Sequence, residues 1–277
     1  MTRKIAIISG KGGVGKSTIA INLAYALKQR GYSVGLFDAD VHGPSIPKLV
    51  GLEKQFGGLE TKDQKLIPIE KKGVKIFSIG FMLPTRDTPV VWRGPMKHGF
   101  IKQAVENVEW GKLDYLVIDL PPGTGDEALS VATLAKPDGV IVVTTPQTVA
   151  LEDVRKAINF ARELSIPIIG VIENMSGFIC PYCSKKVYIF GKGGGSYLAN
   201  EMGVPFLGSI PLSLDIVKSG ENGEPFVFYE NEASKEFNKI VDKVLKNLVI
   251  ITLEKELEKK AAEEAKETKN KNEKSSK

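Results

Sequence analysis

The sequence is poor in the residues that bind metals within a single chain. Its 277 residues include only two cysteines and two histidines. The histidines, His42 and His98, are far from each other and from the cysteines along the chain. The sequence therefore does not provide the four clustered ligands that a structural zinc site within one chain requires.

Long apolar segments and a strong charge of one sign are also absent. No apolar run is long enough to span a membrane. The net charge of +5 is mild and indicates neither nucleic acid nor anionic lipid as a partner. The first predicted strand begins at about Lys4, which leaves no room for a signal peptide. We expect a cytoplasmic protein that binds neither nucleic acid nor membrane, with reduced cysteines.

The composition predicts one large domain and a charged tail. The chain is 42% hydrophobic and 26% charged, which is ordinary for a globular α/β domain, and we assign this domain to residues 1–250. We expect a helix over Ala233–Val249 to close it. Residues 251–277 form the tail, and from Glu254 onward it contains eight lysines and seven glutamates. We expect this tail to be a frayed helix or disordered.

A glycine-rich stretch, GKGGVGKST at residues 10–18, has the phosphate-loop pattern G-x-x-x-x-G-K-[ST]. An apolar strand pattern precedes it and an amphipathic helix pattern follows it. In this arrangement backbone N–H groups and the helix N-terminus surround phosphate oxygens. Lys16 would hold the β- and γ-phosphates, and the Ser17 hydroxyl would bind Mg²⁺. The stretch therefore predicts a nucleotide site.

Two further predicted strands end in carboxylates. One strand leads into Asp38 and Asp40, and another ends at Asp119. Such strand ends lie where ligands bind in open parallel sheets. Asp119 is a candidate to contact Mg²⁺ through water. Gly123, in the loop after Asp119, could bring its backbone N–H close to a γ-phosphate.

Strand and helix patterns alternate through the rest of the domain, which predicts right-handed crossovers and a mostly parallel sheet. The fold class is therefore α/β, a three-layer P-loop NTPase fold with helices on both faces of the sheet. Asn174 follows a predicted strand where guanine-binding proteins carry N-K-x-D. The chain lacks that aspartate, and the Asn174 amide could both donate to and accept from adenine, so ATP is favoured over GTP.

The two cysteines form a C-x-x-C pair, Cys180 and Cys183. A redox pair needs a helix N-terminus, which the following residues do not predict. The pair could also be two unreactive surface cysteines. Alternatively, two copies of the chain could bring four thiolates together at a twofold axis. Four thiolates suit a [4Fe–4S] cluster, but they would also hold zinc, so this ligand set does not identify the metal.

Several separate motifs resemble the Mrp/ApbC-type P-loop ATPases, which belong to the deviant Walker A superfamily of MinD, ParA and the nitrogenase iron protein. The resemblance covers about residues 3–250, and its motifs are GKGGVGKST, FDADVHGPS, VWRGP, IDLPPGTGD, IENMSGF and CPYC. It implies a homodimeric, ATP-hydrolysing carrier that binds a labile iron–sulfur cluster between subunits and passes it to apo-proteins.

The resemblance also implies roles for individual residues. Lys11 would reach the partner's nucleotide, Asp40 would orient or deprotonate the attacking water, and Asp38 would support the magnesium shell. The implied catalytic residues are Lys11, Lys16 and Asp40. The residues implied to bind ATP and Mg²⁺ are Gly10, Lys11, Gly12, Gly13, Val14, Gly15, Lys16, Ser17, Thr18, Asp38, Asp40, Asp119, Gly123, Asn174 and Pro211.

Two other functions remain open from the sequence. The chain could be a MinD- or ParA-like positioning ATPase that acts on membrane or DNA, in which case the cysteine pair would be incidental. It could also be a zinc-bridged dimer that serves as an assembly scaffold.

Overall fold

Strands and helices alternate along most of the chain. The computed structural model describes residues 2–85, 88, 94–180, 182, 183 and 185–275. The strands are β1 (Arg3–Ile8), β2 (Val34–Asp38), β3 (Thr61–Lys62), β4 (Lys65–Leu66), β5 (Ile69–Lys71), β6 (Val74–Ser78), β7 (Tyr115–Asp119), β8 (Gly139–Thr144), β9 (Ile168–Glu173), β10 (Phe178–Ile179), β11 (Lys186–Val187) and β12 (Phe206–Ser209). The helices are α1 (Lys16–Gln29), α2 (Ile46–Leu49), α3 (Gly94–Glu106), α4 (Asp126–Ala135), α5 (Thr148–Glu163), α6 (Gly194–Glu201), α7 (Leu214–Glu221) and α8 (Glu232–Ser275).

The central sheet has eight strands in the order β12-β9-β8-β1-β7-β2-β6-β5. All neighbouring pairs are parallel except β5 and β6, which form an antiparallel edge. Two short hairpins, β3–β4 and β10–β11, lie outside this sheet. The architecture confirms the predicted α/β fold with a mostly parallel sheet.

Each face of the sheet is covered by its own apolar layer. Along β1, Ile5 and Ile7 face one layer, whereas Ala6 and Ile8 face the other. Helices α1 and α8 pack in the first layer, and α3 to α6 pack in the second. Because both faces of a parallel strand are covered, the central strands are continuous apolar runs without alternation. This burial holds the carboxyl ends of the strands, and the loops that follow them, in fixed positions.

Helix α8 is longer than the sequence predicts. We expected a helix over Ala233–Val249, but α8 continues to Ser275. Its apolar packing against the sheet includes Phe237 and Leu248 and reaches Ile251. Beyond this point the helix is rich in lysine, glutamate and alanine, which have high helix propensity. The structure is thus helical as far as Ser275, and the expectation that the tail is a frayed helix or disordered stays a prediction.

Part of one motif cannot be placed. Val91, Trp92 and Arg93 of the VWRGP string lie outside the described residues, and α3 begins at Gly94. Among the helices that the structure describes, none combines the length and the apolar character needed to cross a membrane.

Candidate nucleotide site and cysteine hairpin

The loop between β1 and α1 has the backbone geometry of a phosphate loop. Gly13 and Gly15 adopt left-handed conformations, with φ of 80° and 86°, which favour glycine. The N-terminus of α1 has no acidic residue in its first turn. Within the described part of the chain, no side chain caps this helix end. Its backbone N–H groups and its dipole are therefore available to an anion.

The first glycine of the loop is required by its contact with α5. A Cβ atom at Gly10 would lie 2.1 Å from the backbone oxygen of Asp153. Such a distance is far below van der Waals contact, so any side chain would push the loop away from α5. Gly10 thus keeps the loop seated on the helix.

A buried ion pair lies beneath the loop. The Lys16 Nζ atom is 2.5 Å from Asp119 Oδ1, and both side chains are buried. The other carboxylate oxygen, Asp119 Oδ2, has no hydrogen-bond partner among the residues that the structure describes. Burial raises the pKa of Asp119, while the Lys16 ammonium acts in the opposite direction. An unpartnered buried oxygen next to Lys16 and Ser17 suits a hydrated Mg²⁺ ion with a bound nucleotide.

Asp38 lies beside Asp119 but does not face the cavity. The two residues are register partners on β2 and β7. Asp38 Oδ2 accepts a hydrogen bond from the Ser78 hydroxyl at 2.9 Å, and Oδ1 accepts one from the Asp40 backbone N–H at 3.2 Å. Burial, reinforced by the nearby Asp119, raises the pKa of Asp38 to about 8. Asp38 therefore holds the Asp40 backbone and lies next to Asp119, and its role in the magnesium shell stays a prediction.

This raised pKa makes the stability of the nucleotide-free protein depend on pH. The folded state favours protonated Asp38, whereas the ordinary pKa is 3.8. We expect this contribution to be complete below pH 4 and to be lost as pH rises to about 8. Urea unfolding between these values, without Mg²⁺, measures the effect. Asp38→Asn should flatten the pH dependence and the exposed Asp63→Asn should not, so equal slopes for all three proteins would contradict the assignment.

Asp40 faces the phosphate loop. Its Oδ1 atom accepts hydrogen bonds from the backbone N–H groups of His42 and Gly43, at 3.1 and 3.0 Å. The side chain lines a cavity of about 310 Å³ together with Lys11, Lys16 and other residues of the loop. Asp40 therefore lies on the wall of the cavity that the phosphate loop borders, and its role in orienting water stays a prediction.

Lys11 is a partly exposed cation on the same cavity. Its ammonium group makes no hydrogen bond or ion pair within the described ranges of the chain, although its backbone oxygen accepts a bond from the Ser9 hydroxyl at 2.9 Å. The charge is thus available to a ligand or to a second chain.

The backbone N–H of Gly123, which we expected to approach a γ-phosphate, is already engaged, because it donates to the Ser9 backbone oxygen at 2.9 Å. That bond would have to break for Gly123 to reach a γ-phosphate.

A cavity of about 600 Å³ lies next to the loop, and we call it the base cavity because a nucleotide base would lie there. Asn174 and Pro211 line it, and their contact with adenine stays a prediction. The Asn174 Nδ2 atom donates to the Val14 backbone oxygen at 2.9 Å. One hydrogen of the amide is therefore engaged by the phosphate loop, and its carbonyl oxygen remains the clearest group for recognising a base. Sequence reasoning missed the apolar wall that α7 adds through Ile216 and Val217.

A buried acid that sequence reasoning missed organises the neighbouring loop. Glu173, at the end of β9, accepts hydrogen bonds from the Ser176 hydroxyl at 2.5 Å and from the Gly195 N–H at 2.7 Å. The second bond is to the first turn of α6, where a carboxylate is stabilising. The only signal in the sequence is a glutamate at the end of an otherwise apolar strand.

The cysteines lie at the tip of the β10–β11 hairpin. The Cys180 N–H donates to the Lys185 backbone oxygen at 3.0 Å, and Cys183 is exposed. Hydrogen bonds from the backbone of Tyr182 and then of Cys183 lower the pKa of the Cys180 thiol. A strand follows the pair, so the described residues of the hairpin show no helix N-terminus of the kind that a redox dithiol needs.

Apolar and aromatic side chains on and after the hairpin are exposed, next to the exposed lysines Lys185 and Lys186. Tyr182 is 96% exposed and Ile189 is 57% exposed, and Val187 and Tyr188 are also exposed. The parts of the chain with described coordinates contain no group of three histidine, cysteine or acidic side chains that could hold a metal ion. A four-thiolate site at this hairpin therefore requires a second chain.

The parallel sheet, the phosphate loop at the end of β1 and the acids at the ends of β2 and β7 define a P-loop NTPase. The family described as ParA, NUBPL iron-transfer P-loop NTPase, matches residues 1–248. The chain belongs to this family.

Named relatives extend over most of the chain. The iron–sulfur cluster carrier protein of Methanocaldococcus jannaschii is 51% identical over 249 residues, which cover 88% of this chain and 84% of the relative. The corresponding protein of Aquifex aeolicus is 53% identical, with coverage of 88% and 67%. The bovine cytosolic Fe–S cluster assembly factor NUBP2 is 45% identical, with coverage of 87% and 91%.

Solved structures agree with the fold and with nucleotide binding. A nucleotide-binding protein from Archaeoglobus fulgidus, in complex with ADP and with cobalt, is 40% identical; its TM-score is 0.71, with 82% of this chain and 88% of that chain covered. MinD from Pyrococcus horikoshii, complexed with Mg-ADP, is 26% identical; its TM-score is 0.62, with coverage of 91% and 99%.

Proposed function

We propose that the protein is an ATP-dependent iron–sulfur cluster carrier that acts as a homodimer in the cytoplasm. Its cargo is a [4Fe–4S] cluster, held between two copies by Cys180 and Cys183 and delivered to apo iron–sulfur proteins. The names of the carrier relatives and of the cytosolic bovine factor support this function and its location.

One observation supports the proposal more than any other: a half-buried thiol and an exposed thiol are presented together, and the described residues place no further metal ligands near them. The thiols of Cys180 and Cys183 provide half of the ligands that a [4Fe–4S] cluster takes from cysteines. A twofold axis supplies the other half. An exposed bridging position also suits a cargo that must leave the protein. Zinc fits the same four thiolates, so the metal has to be identified by experiment.

The nucleotide site would supply the energy for a change in the dimer. Lys16 and the N-terminus of α1 would bind phosphate oxygens, and Ser17 and Asp119 would hold Mg²⁺, which neutralises charge on the phosphates. Asp40 would orient the attacking water from the wall of the same cavity. We propose slow hydrolysis, because each site would also need the Lys11 ammonium group of a second copy of the chain.

Replacing Lys11 tests this shared site. We expect Lys11→Ala to reduce ATP hydrolysis by ~10³-fold or more, in the range of a cation supplied in trans. Nucleotide affinity should change much less, because Lys16 remains in place. Single-turnover hydrolysis and ADP titration separate the two effects. Lys192→Ala, outside the nucleotide site, is the matched control, and unchanged turnover in Lys11→Ala would refute the role in trans.

Anaerobic purification and reconstitution test the carrier function. We expect a visible spectrum with about four iron and four sulfide ions per dimer, and transfer of the cluster to an apo-ferredoxin. Zinc without sulfide would instead indicate an assembly scaffold. Salt-sensitive, nucleotide-dependent binding to DNA or liposomes, with no cluster bound, would favour a positioning ATPase.

A further inference from the structure

The base cavity and the cysteine hairpin are joined by a short, anchored segment. Only five residues separate Asn174, at the base cavity, from Cys180, at the hairpin tip. We call residues Asn174–Phe178 the stem. The stem begins where β9 ends, and its last residue is the first residue of β10.

The start of the stem is tied directly to the phosphate loop. Besides the bond from Asn174 Nδ2 to the Val14 oxygen, the same nitrogen fills the space beside Gly15, where an added Cβ would approach it to 2.2 Å. The Asn174 backbone N–H donates to the Thr144 oxygen at 2.8 Å. A change in the conformation of Val14 or Gly15 would therefore act directly on the Asn174 side chain.

The next residues turn the chain sharply. Met175 is in the left-handed region, with φ of 58°, which is rare for a residue with a long side chain. Its side chain lines both the phosphate cavity and the base cavity. A nucleotide in either cavity would thus contact Met175, a residue whose backbone is already strained.

The far end of the stem is bonded to the loop that carries Pro211. The Ser176 N–H donates to the Ile210 oxygen, and the Leu212 N–H donates to the Gly177 oxygen, both at 2.8 Å. Leu212 also forms a parallel bridge with Phe178. The stem and the loop that carries Pro211 both border the base cavity, and together they hold the start of the hairpin. The tip of the hairpin is exposed.

We propose that Asn174 is a positioning residue that couples nucleotide occupancy to the placement of Cys180 and Cys183. A nucleotide in the base cavity acts on the stem through Asn174 and on the neighbouring loop through Pro211. The hairpin then moves together with the stem, because its strands β10 and β11 contain only two residues each and the tip follows directly. The inference rests on the proposed function, since it gives the regulation of the same cysteine site.

The reactivity of the thiols reports this coupling without a cluster. The chain has no cysteines besides these two, so the rate of iodoacetamide alkylation in metal-free full-length protein measures the hairpin alone. We expect saturating Mg-ADP or Mg-ATP to change this rate about two- to tenfold, the factor that one net hydrogen bond supplies. No response in the wild-type protein would overturn the proposal.

Three variants test the route. Asn174→Ala removes the bond to the Val14 oxygen, and Ser176→Ala removes the hydroxyl that ties the stem to Glu173 at the end of β9. At saturating nucleotide, the response should fall towards none in both variants. Ser176 lines neither cavity, so Ser176→Ala should keep its nucleotide affinity. It therefore still tests the coupling if Asn174→Ala binds no nucleotide. Asn247→Ala is the matched control, because Asn247 Nδ2 donates to the Ile169 backbone oxygen at 2.8 Å, away from the site, and the response should persist.

The outcomes separate this inference from the proposed function. A full nucleotide response in both stem variants would overturn the coupling even if the protein carries clusters. A response that is lost in the stem variants and kept in Asn247→Ala would support the coupling even if the reconstituted metal were zinc.

Discussion

Replacing Lys16 with alanine should reduce the affinity for Mg-ATP by ~10- to 100-fold, because a charge-assisted hydrogen bond to phosphate contributes ~1.5–3 kcal/mol. Hydrolysis should fall below detection, since the remaining site lacks the cation that binds the phosphates undergoing transfer. The effect is large because the Lys16 side chain is buried at the start of α1, beneath the loop that would hold the phosphates. Titration with a fluorescent ATP analogue and a phosphate-release assay measure the two changes.

The same substitution leaves Asp119 buried without its cation. Breaking a buried ion pair costs ~3–5 kcal/mol when the remaining charge stays ionised. The pKa of Asp119 is already raised by burial, so the carboxyl group can take up a proton and avoid part of this cost. Thermal unfolding should show a modest loss that grows with pH. Lys28→Ala, exposed at the other end of α1, is the control, and wild-type nucleotide affinity in Lys16→Ala would contradict the site.

The double substitution Cys180→Ser/Cys183→Ser should remove the bridging cluster completely. Serine oxygen is a poor substitute for thiolate in iron–sulfur ligation, and the described residues near the hairpin offer no alternative ligand set. Iron and sulfide should fall from about four of each per dimer to background after anaerobic reconstitution. Analytical ultracentrifugation should show loss of any cluster-dependent dimer.

Controls separate cluster loss from damage to the hairpin. The double variant should retain nucleotide affinity, because neither cysteine lines the nucleotide cavities. Lys185→Ala changes the hairpin but keeps the backbone oxygen that accepts from Cys180. It should bind the cluster normally. A bridging cluster in the double variant would contradict the assignment of these cysteines as its ligands.

The sequence contains enough information to predict the nucleotide site because the carboxyl ends of neighbouring parallel strands lie at the same edge of the sheet. Once Asp38 and Asp119 are placed at the ends of strands, the sheet alone makes them neighbours, and they are register partners. The phosphate loop is equally local, since its glycines, Lys16 and the start of α1 are contiguous. Short-range patterns and one topological rule therefore predict most of this site.

The remaining features depend on contacts that no local pattern encodes. Asn174 and Val14 are 160 positions apart, and their bond shows that the amide secures the loop as well as facing the base cavity. The Gly123 N–H is taken by Ser9, a contact that becomes visible only when two loops are placed together. The strands of the cysteine hairpin are too short to give a periodic signal.

The position of β1 in the sheet has a consequence for biosynthesis. β1 pairs with β7 on one side and with β8 on the other, and both follow it by more than 100 residues. At ~5–20 residues per second, the ribosome needs roughly seven to thirty seconds to proceed from Ile8 to Thr144. During this time an apolar strand has both hydrogen-bonding edges open. Slower translation should therefore increase aggregation of the nascent chain, and the yield of folded protein should depend on chaperones that shield this strand.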